Sequence, residues 1–376
     1  MANHLLVLFS LVTIAACSPK PQNSDTTESS TNSSDRSSST VAALPYDSTR
    51  NPFGVLTNSQ GSVGALSPAV RIKLAKAMGV NYVRTAVVLS NWSGSVPAND
   101  AFINAGLKMV MNINNTPSGR NNAVTDYPSD MVSYKRSLNS VFDKYQPEVV
   151  VIENEEANSN YHSGSAAEYI TMLTTAIDAA HARGLRVTNG GLTSRELTLL
   201  TWKDFMNRGM TREANEFGKS AIPPEYLDDL PGLTRHKQMA ERLRKIDTLI
   251  KAYKNLPLDY VNFHWYEPIN LRGLTSFPAN ADFEHVVPGA MEAVVNFLHN
   301  ATGKTIMTNE FGPVTESPNL VKELMQEVLN LKLPYALIYS GDGDRTGKAI
   351  PLHTDEGSLK ANGIAFKDFI SSHFKQ

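Results

Sequence analysis

Short runs of β-branched and aromatic residues recur along the chain, each followed by a stretch whose apolar positions return at helical spacing. The runs at 53–57, 82–88, 107–113, 149–153, 185–190, 260–264, 305–309 and 335–339 predict strands. Helices are predicted at 68–78, 99–105, 129–145, 165–183, 234–253, 286–300, 318–331 and 358–374. Tyr169, Leu173, Ile177 and Ala180 show the spacing: they fall on one helical face. Within the strand runs, apolar residues are consecutive rather than alternate, as in parallel strands buried on both faces. Eight strands alternating with eight helices predict an α/β protein with a (β/α)8 TIM barrel. The rival, an open doubly wound sheet, more often has a glycine-rich turn after its first strand, and Gly61-Ser-Val-Gly64 is not G-x-G-x-x-G. Residues 193–233 interrupt the alternation and read as an inserted loop or subdomain.

The N-terminus follows a different pattern. Residues 5–16 form an apolar run of signal-peptide length, too short to span a bilayer. The run closes in Ile14-Ala15-Ala16-Cys17, which resembles a bacterial lipobox. That resemblance implies lipidation at Cys17, export, and a membrane anchor in the cell envelope, at the outer membrane if the cell has one. Cys17 is the only cysteine, so no disulfide forms within one chain. Residues 18–43 are rich in Ser and Thr and nearly free of apolar side chains, the composition of a flexible tether. Residues 44–376 then suit one large α/β domain. A formal net charge of -2, with no basic cluster beyond one amphipathic helix, argues against a nucleic-acid partner. A monomer is expected.

Several strand ends turn polar where a barrel opens its mouth, at the C-terminal ends of its strands. The fourth ends "VVVIENEEAN", with Glu153, Asn154, Glu155 and Glu156 in a row. The sixth closes in "VNFHWYEP", which puts His264 and Tyr266 two residues apart on one side of an extended chain. The seventh closes in "TIMTNEFGP" and brings Glu310, the second carries Arg84, and the third ends at Asn112 and Asn114. Unpartnered carboxylates are costly to bury, so such acids are expected in the mouth rather than the core.

These motifs resemble the glycoside hydrolases of clan A, retaining (β/α)8 enzymes that include families 5 and 39. The likeness covers essentially the whole domain in strand order. It implies that Asn154-Glu155 supplies the general acid/base and Glu310 the nucleophile. His264-Trp265-Tyr266 matches the family 5 His-x-Tyr, and Arg84 matches an arginine near the nucleophile. The chain departs from the pattern at Tyr339, where a tryptophan is usual, at Glu156, where proline is usual, and after the third strand, where asparagines replace histidine.

The resemblance therefore implies a retaining O-glycosyl hydrolase acting on the β-glycosidic bonds of a carbohydrate. A glycan-binding lipoprotein without activity and a transglycosylase are the alternatives. Double displacement needs one protonated and one ionised carboxyl about 5–5.5 Å apart, with pKa values driven apart. Asn154 is expected at the sugar 2-hydroxyl, with Asn112 also in the substrate site. Trp92, Trp265 and Tyr339 are expected as flat faces for sugar rings. Glu153 is expected to support the site from the barrel interior, and Glu156 to point towards the loop. No cofactor or metal is expected. "SGDGDRTG", starting at Ser340, offers oxygen ligands but lacks EF-hand spacing. No zinc-protease, serine-hydrolase or phosphate-loop motif occurs.

Overall fold

The computed structural model describes residues 47–57, 66–117, 124–222, 227–267, 289–340 and 352–374. The leader with Cys17, the 18–43 tether, Gly61-Ser-Val-Gly64 and all but the first residue of "SGDGDRTG" lie outside the described residues. Among the described residues, no helix is long and apolar enough to cross a membrane.

The described residues form eight strands: β1 (Phe53–Thr57), β2 (Tyr82–Val88), β3 (Lys108–Asn114), β4 (Val149–Ile152), β5 (Val187–Asn189), β6 (Tyr260–Glu267), β7 (Thr305–Pro313) and β8 (Ala336–Ser340). They are joined in the order β5-β4-β3-β2-β1-β8-β7-β6, every pair parallel. The seam between β5 and β6 closes just beyond β5. Leu192 N–H donates to Asn262 O at 3.1 Å, and His264 N–H donates to Leu192 O at 2.8 Å. The Asn189 side chain completes the seam by bonding both the N–H and the C=O of Asn262. The protein is a (β/α)8 TIM barrel.

Helices α1 (Pro68–Ala77), α2 (Pro97–Asn104), α3 (Met131–Lys144) and α4 (Ala166–His181) follow the first four strands in turn. Their starts are set by side chains that satisfy the free N–H groups of the first turn. Asp130 accepts from Val132 and Ser133 at the start of α3, and Ser165 forms a capping box with Glu168 at the start of α4. The 193–233 stretch is largely helical: α5 (Ser194–Asn207), α6 (Thr211–Ala221) and α7 (Leu230–Arg235) precede α8 (Lys237–Tyr253). Far from being a loop, α5 buries Leu197, Leu199 and Leu200 and packs on β6 and α8. Helices α9 (Ala290–Thr302), α10 (Pro318–Asn330) and α11 (Ala361–His373) complete the ring.

Strand alternation divides the core in two. Val149 and Val151 of β4 point inward with Val110, Tyr260, Met307 and Leu337, while Val150 and Ile152 face the helices. Burying one such side chain contributes roughly 1.5–3 kcal/mol, so the apolar lower barrel is a rigid base for what stands above it.

Candidate active site

Inward alternation along β2 takes Tyr82 in the core to Arg84 above it, and along β6 it takes Tyr260 to Asn262, His264 and Tyr266. Strand β7 departs from alternation. Asn262 pairs with Met307 but His264 with Glu310, so β7 carries one extra residue in this interval. Such a bulge re-aims side chains: Asn309 and Glu310, although consecutive, both reach groups inside the barrel.

Beyond β4 the backbone changes hand. Glu153 has φ 65° and Glu155 φ 50°, a left-handed conformation that costs a non-glycine residue roughly 1–2 kcal/mol. Two such residues bracketing Asn154 are backbone strain of the kind that collects at functional sites. The turn is held from below. Tyr169 O–H donates to Ile152 O at 2.8 Å, and the His162 ring bonds Asn154 O at 3.0 Å.

The result is a cluster of charged groups gathered from four strand ends. Glu310 Oε2 accepts from Arg84 Nη1, and its Oε1 accepts from the Tyr266 hydroxyl at 2.5 Å. Burial by itself would raise the Glu310 pKa. The charges of His264 and Arg84, with hydrogen bonds from Tyr266 and Arg84, outweigh it and hold the carboxyl at about 2. Arg84 also donates to Asn154 Oδ1 at 2.5 Å. Glu155 Oε2 accepts from Asn158 Nδ2 at 2.6 Å, and its Oε1 lies 3.2 Å from Nδ1 of His264. The same Nδ1 is 3.7 Å from Glu310 Oε2. One imidazole nitrogen thus stands between two carboxylates that differ in surroundings.

Ligand-type atoms of Glu155, His264 and Glu310 lie within 4.8 Å of one another. That is close enough to converge on an ion. However, a guanidinium and a hydroxyl already donate to the two Glu310 oxygens, so a cation there would sit against the fixed charge of Arg84. The donor set suits an anionic carboxylate more than a metal centre.

The remaining predicted residues separate. Tyr339 stands beside Tyr266, the two rings nearly perpendicular at 6.1 Å between centroids. Asn112 lies buried beneath the mouth, accepting from Arg84 Nε at 2.8 Å, and so holds Arg84 instead of lining the open site. Trp265 is wholly buried on the outer side of β6, its indole N–H donating to Glu267 Oε1 at 2.6 Å. Trp92 lies on the flank, donating to Ser140 Oγ on α3 at 2.9 Å and packing edge-on to Tyr145.

The two neighbours of the Asn-Glu pair also differ from expectation. Glu153 does not enter the barrel; its positive φ turns it outward, where Oε1 accepts from Asn115 N–H at 2.7 Å. Burial drives its pKa up to about 8, against the pull of that bond. Glu156 is fully buried rather than turned to the loop, accepting from Tyr253 O–H at 2.6 Å and Asn189 Nδ2 at 2.8 Å. Asn158, Asn189, Asn262 and Asn309 were not singled out from sequence. The last three carried a signal, as polar residues inside otherwise apolar strand runs.

No family model matches the chain, and no curated protein matches it. Solved structures do match. The β-glycosidase BGL167 is 14% identical with a TM-score of 0.53, over 88% of this chain and 99% of that one. A family 5 xyloglucanase from Paenibacillus pabuli is 13% identical with a TM-score of 0.50, over 87% and 99%. A glycoside hydrolase family 39 β-xylosidase from Caulobacter crescentus is 12% identical with a TM-score of 0.50, over 85% and 71%. These neighbours are clan A-type (β/α)8 enzymes, the group whose motifs the strand ends resemble; the likeness is one of fold.

Proposed function

We propose that this chain is a retaining glycoside hydrolase acting on β-linked glycans, with Glu310 as nucleophile and Glu155 as general acid/base. The observation that carries the reading is the unequal treatment of two neighbouring carboxylates. Glu310 is clamped by Arg84 and Tyr266 in its ionised form, while Glu155 faces an imidazole nitrogen able to share a proton.

The chemistry follows from those roles. Glu310 attacks the anomeric carbon while Glu155 protonates the departing oxygen, giving a glycosyl-enzyme ester. Glu155, now a carboxylate, then takes a proton from the water that displaces Glu310. The short separation implied by the 4.8 Å cluster supports the covalent route, which needs no room for a water between the two acids. Asn154, oriented by Arg84, is the candidate partner of the sugar 2-hydroxyl, and Tyr339 offers a ring face. The β-glycosidase, xyloglucanase and β-xylosidase that share the fold are in keeping with a β-linked substrate. The apolar leader ending at Cys17 supports a surface-tethered enzyme within the same reading.

A panel of nitrophenyl β-glycosides, β-glucans, mannans and xylans tests the proposal. Hydrolysis of at least one by the wild type is expected, with Glu310→Gln inactive. Glu155→Gln should be slowed about a hundred- to ten-thousandfold. Full activity in either variant would remove the basis of the assignment.

A further inference from the structure

Beneath the carboxylates lie four buried asparagines: Asn112 on β3, Asn189 on β5, Asn262 on β6 and Asn309 on β7. Leaving one such amide unpaired costs about 1–3 kcal/mol. Among the described residues, none of the four has a side-chain atom both buried and without a partner. Their connections fix more than their own positions.

The orientation of each amide follows from neighbours that can play only one role. Arg84 Nε only donates, and it lies 2.8 Å from Asn112 Oδ1. The backbone carbonyl of Glu153 only accepts, and it lies 2.9 Å from Asn112 Nδ2. With Asn112 so fixed, its Oδ1 requires the Asn309 group 3.0 Å away to be Nδ2. A separate route gives the same answer. The Asn309 backbone N–H donates to Asn262 Oδ1 at 2.9 Å, which leaves Asn262 Nδ2 to donate to Asn309 Oδ1 at 2.7 Å. Asn309 Oδ1 is therefore an acceptor on two independent grounds. It stands 3.0 Å from His264 Nε2, so that nitrogen carries a hydrogen.

The other ring nitrogen is then constrained. Nδ1 faces Glu155 Oε1 at 3.2 Å and Glu310 Oε2 at 3.7 Å, while Arg84 and Tyr266 act on the same cluster through Glu310. Glu156, behind the turn, also feels the ring's charge. Were Nδ1 bare and both carboxylates ionised, three acceptors would meet with no hydrogen between them. Some proton must lie there, either on Glu155 pointing at Nδ1 or on Nδ1 pointing at Glu155. Gly191 (φ 122°) lies against the ring, where a Cβ would overlap the imidazole.

We propose that Asn309, fixed by Asn112 and Asn262, is a positioning residue that locks the Nε2–H form of His264, so that the general-acid proton is one proton shared between Glu155 and Nδ1. The inference rests on the glycosidase reading for the proton's use, but not for its location. The balance closes. When the leaving oxygen takes the shared proton, Glu155 is left anionic and the ring neutral, as Glu310 loses its charge to the ester. The incoming water returns the proton in the second step.

Histidine-labelled protein tests this by NMR of the imidazole nitrogens between about pH 5 and about pH 9, with the His264 signal assigned by its loss in His264→Gln. Nε2 is expected to keep its hydrogen throughout, with any titration confined to Nδ1. A neutral ring with its hydrogen on Nδ1, or titration at Nε2, overturns the proposal without reference to any substrate. The second arm follows kcat/KM for a cleaved nitrophenyl β-glycoside in Asn309→Leu. Losing the acceptor should move the alkaline limb down by about one pH unit. A lower rate with an unmoved limb means that Asn309 is structural only. If Asn309→Leu does not fold, the wild-type spectrum decides. If no glycoside is cleaved, the glycosidase reading fails while the spectrum still settles the proton.

Discussion

Arg84 on β2 and Glu310 on β7 stand 226 positions apart in the chain, yet the guanidinium donates directly to Glu310 Oε2 within a largely buried pair. Removing one partner of such a pair leaves the other charge desolvated, at a cost of about 3–5 kcal/mol. The Glu310 pKa is depressed in the folded state, so its stabilising contribution is present above the unfolded carboxylate pKa and is lost as pH falls towards about 2. Arg84→Ala should therefore lose stability near neutral pH, by about 3 kcal/mol at most given the remaining His264 charge. The gap to wild type should narrow below about pH 4. Urea unfolding at neutral and acidic pH measures the difference; an equal gap at both would contradict the clamp.

Glu267 predicts the opposite pH trend. Burial raises its pKa to about 8, against the hydrogen bond from the Trp265 indole, with Glu327 and Glu323 adding to the rise. A raised folded-state pKa contributes stability that is fully present below the unfolded carboxylate pKa and lost as pH rises through about 8. Glu267→Gln keeps an oxygen for the indole and removes the ionisation. Its melting temperature relative to wild type should be higher at about pH 9 than at about pH 5. A difference that does not change with pH would show that Glu267 is already ionised.

The aromatic residues separate by role. Tyr339 stands beside Tyr266 in the mouth, whereas Trp92 packs on α3. Tyr339→Ala should raise KM on an oligosaccharide about tenfold, the equivalent of about 1.4 kcal/mol of stacking. Trp92→Ala should leave KM unchanged and lower the melting temperature. Steady-state kinetics on the two variants checks both, and a KM effect at Trp92 alone would reverse the assignment.

Much of this arrangement was legible in the sequence, because buried parallel strands and amphipathic helices write different periods. The strand ends at Arg84, Glu155, His264, Tyr266 and Glu310 come together as their motifs implied. Two features were not legible. The left-handed backbone at Glu153 and Glu155, neither of them glycine, reverses where Glu153 and Glu156 point. The bulge on β7 turns consecutive residues Asn309 and Glu310 inward, which strict alternation forbids. Trp265 is different. Alternation from His264 and Tyr266 already assigns it to the outer face, where the structure buries it.

The most direct measurement traps the ester. A fluorinated β-glycosyl inhibitor with an activated leaving group is incubated with the protein, and the digested peptides are mapped by mass. One added glycosyl group is expected on the peptide containing Glu310, and none in Glu310→Gln. Labelling on the Glu155 peptide instead, or turnover of a cleaved substrate with inversion at the anomeric carbon, would overturn the assignment of Glu310 as nucleophile.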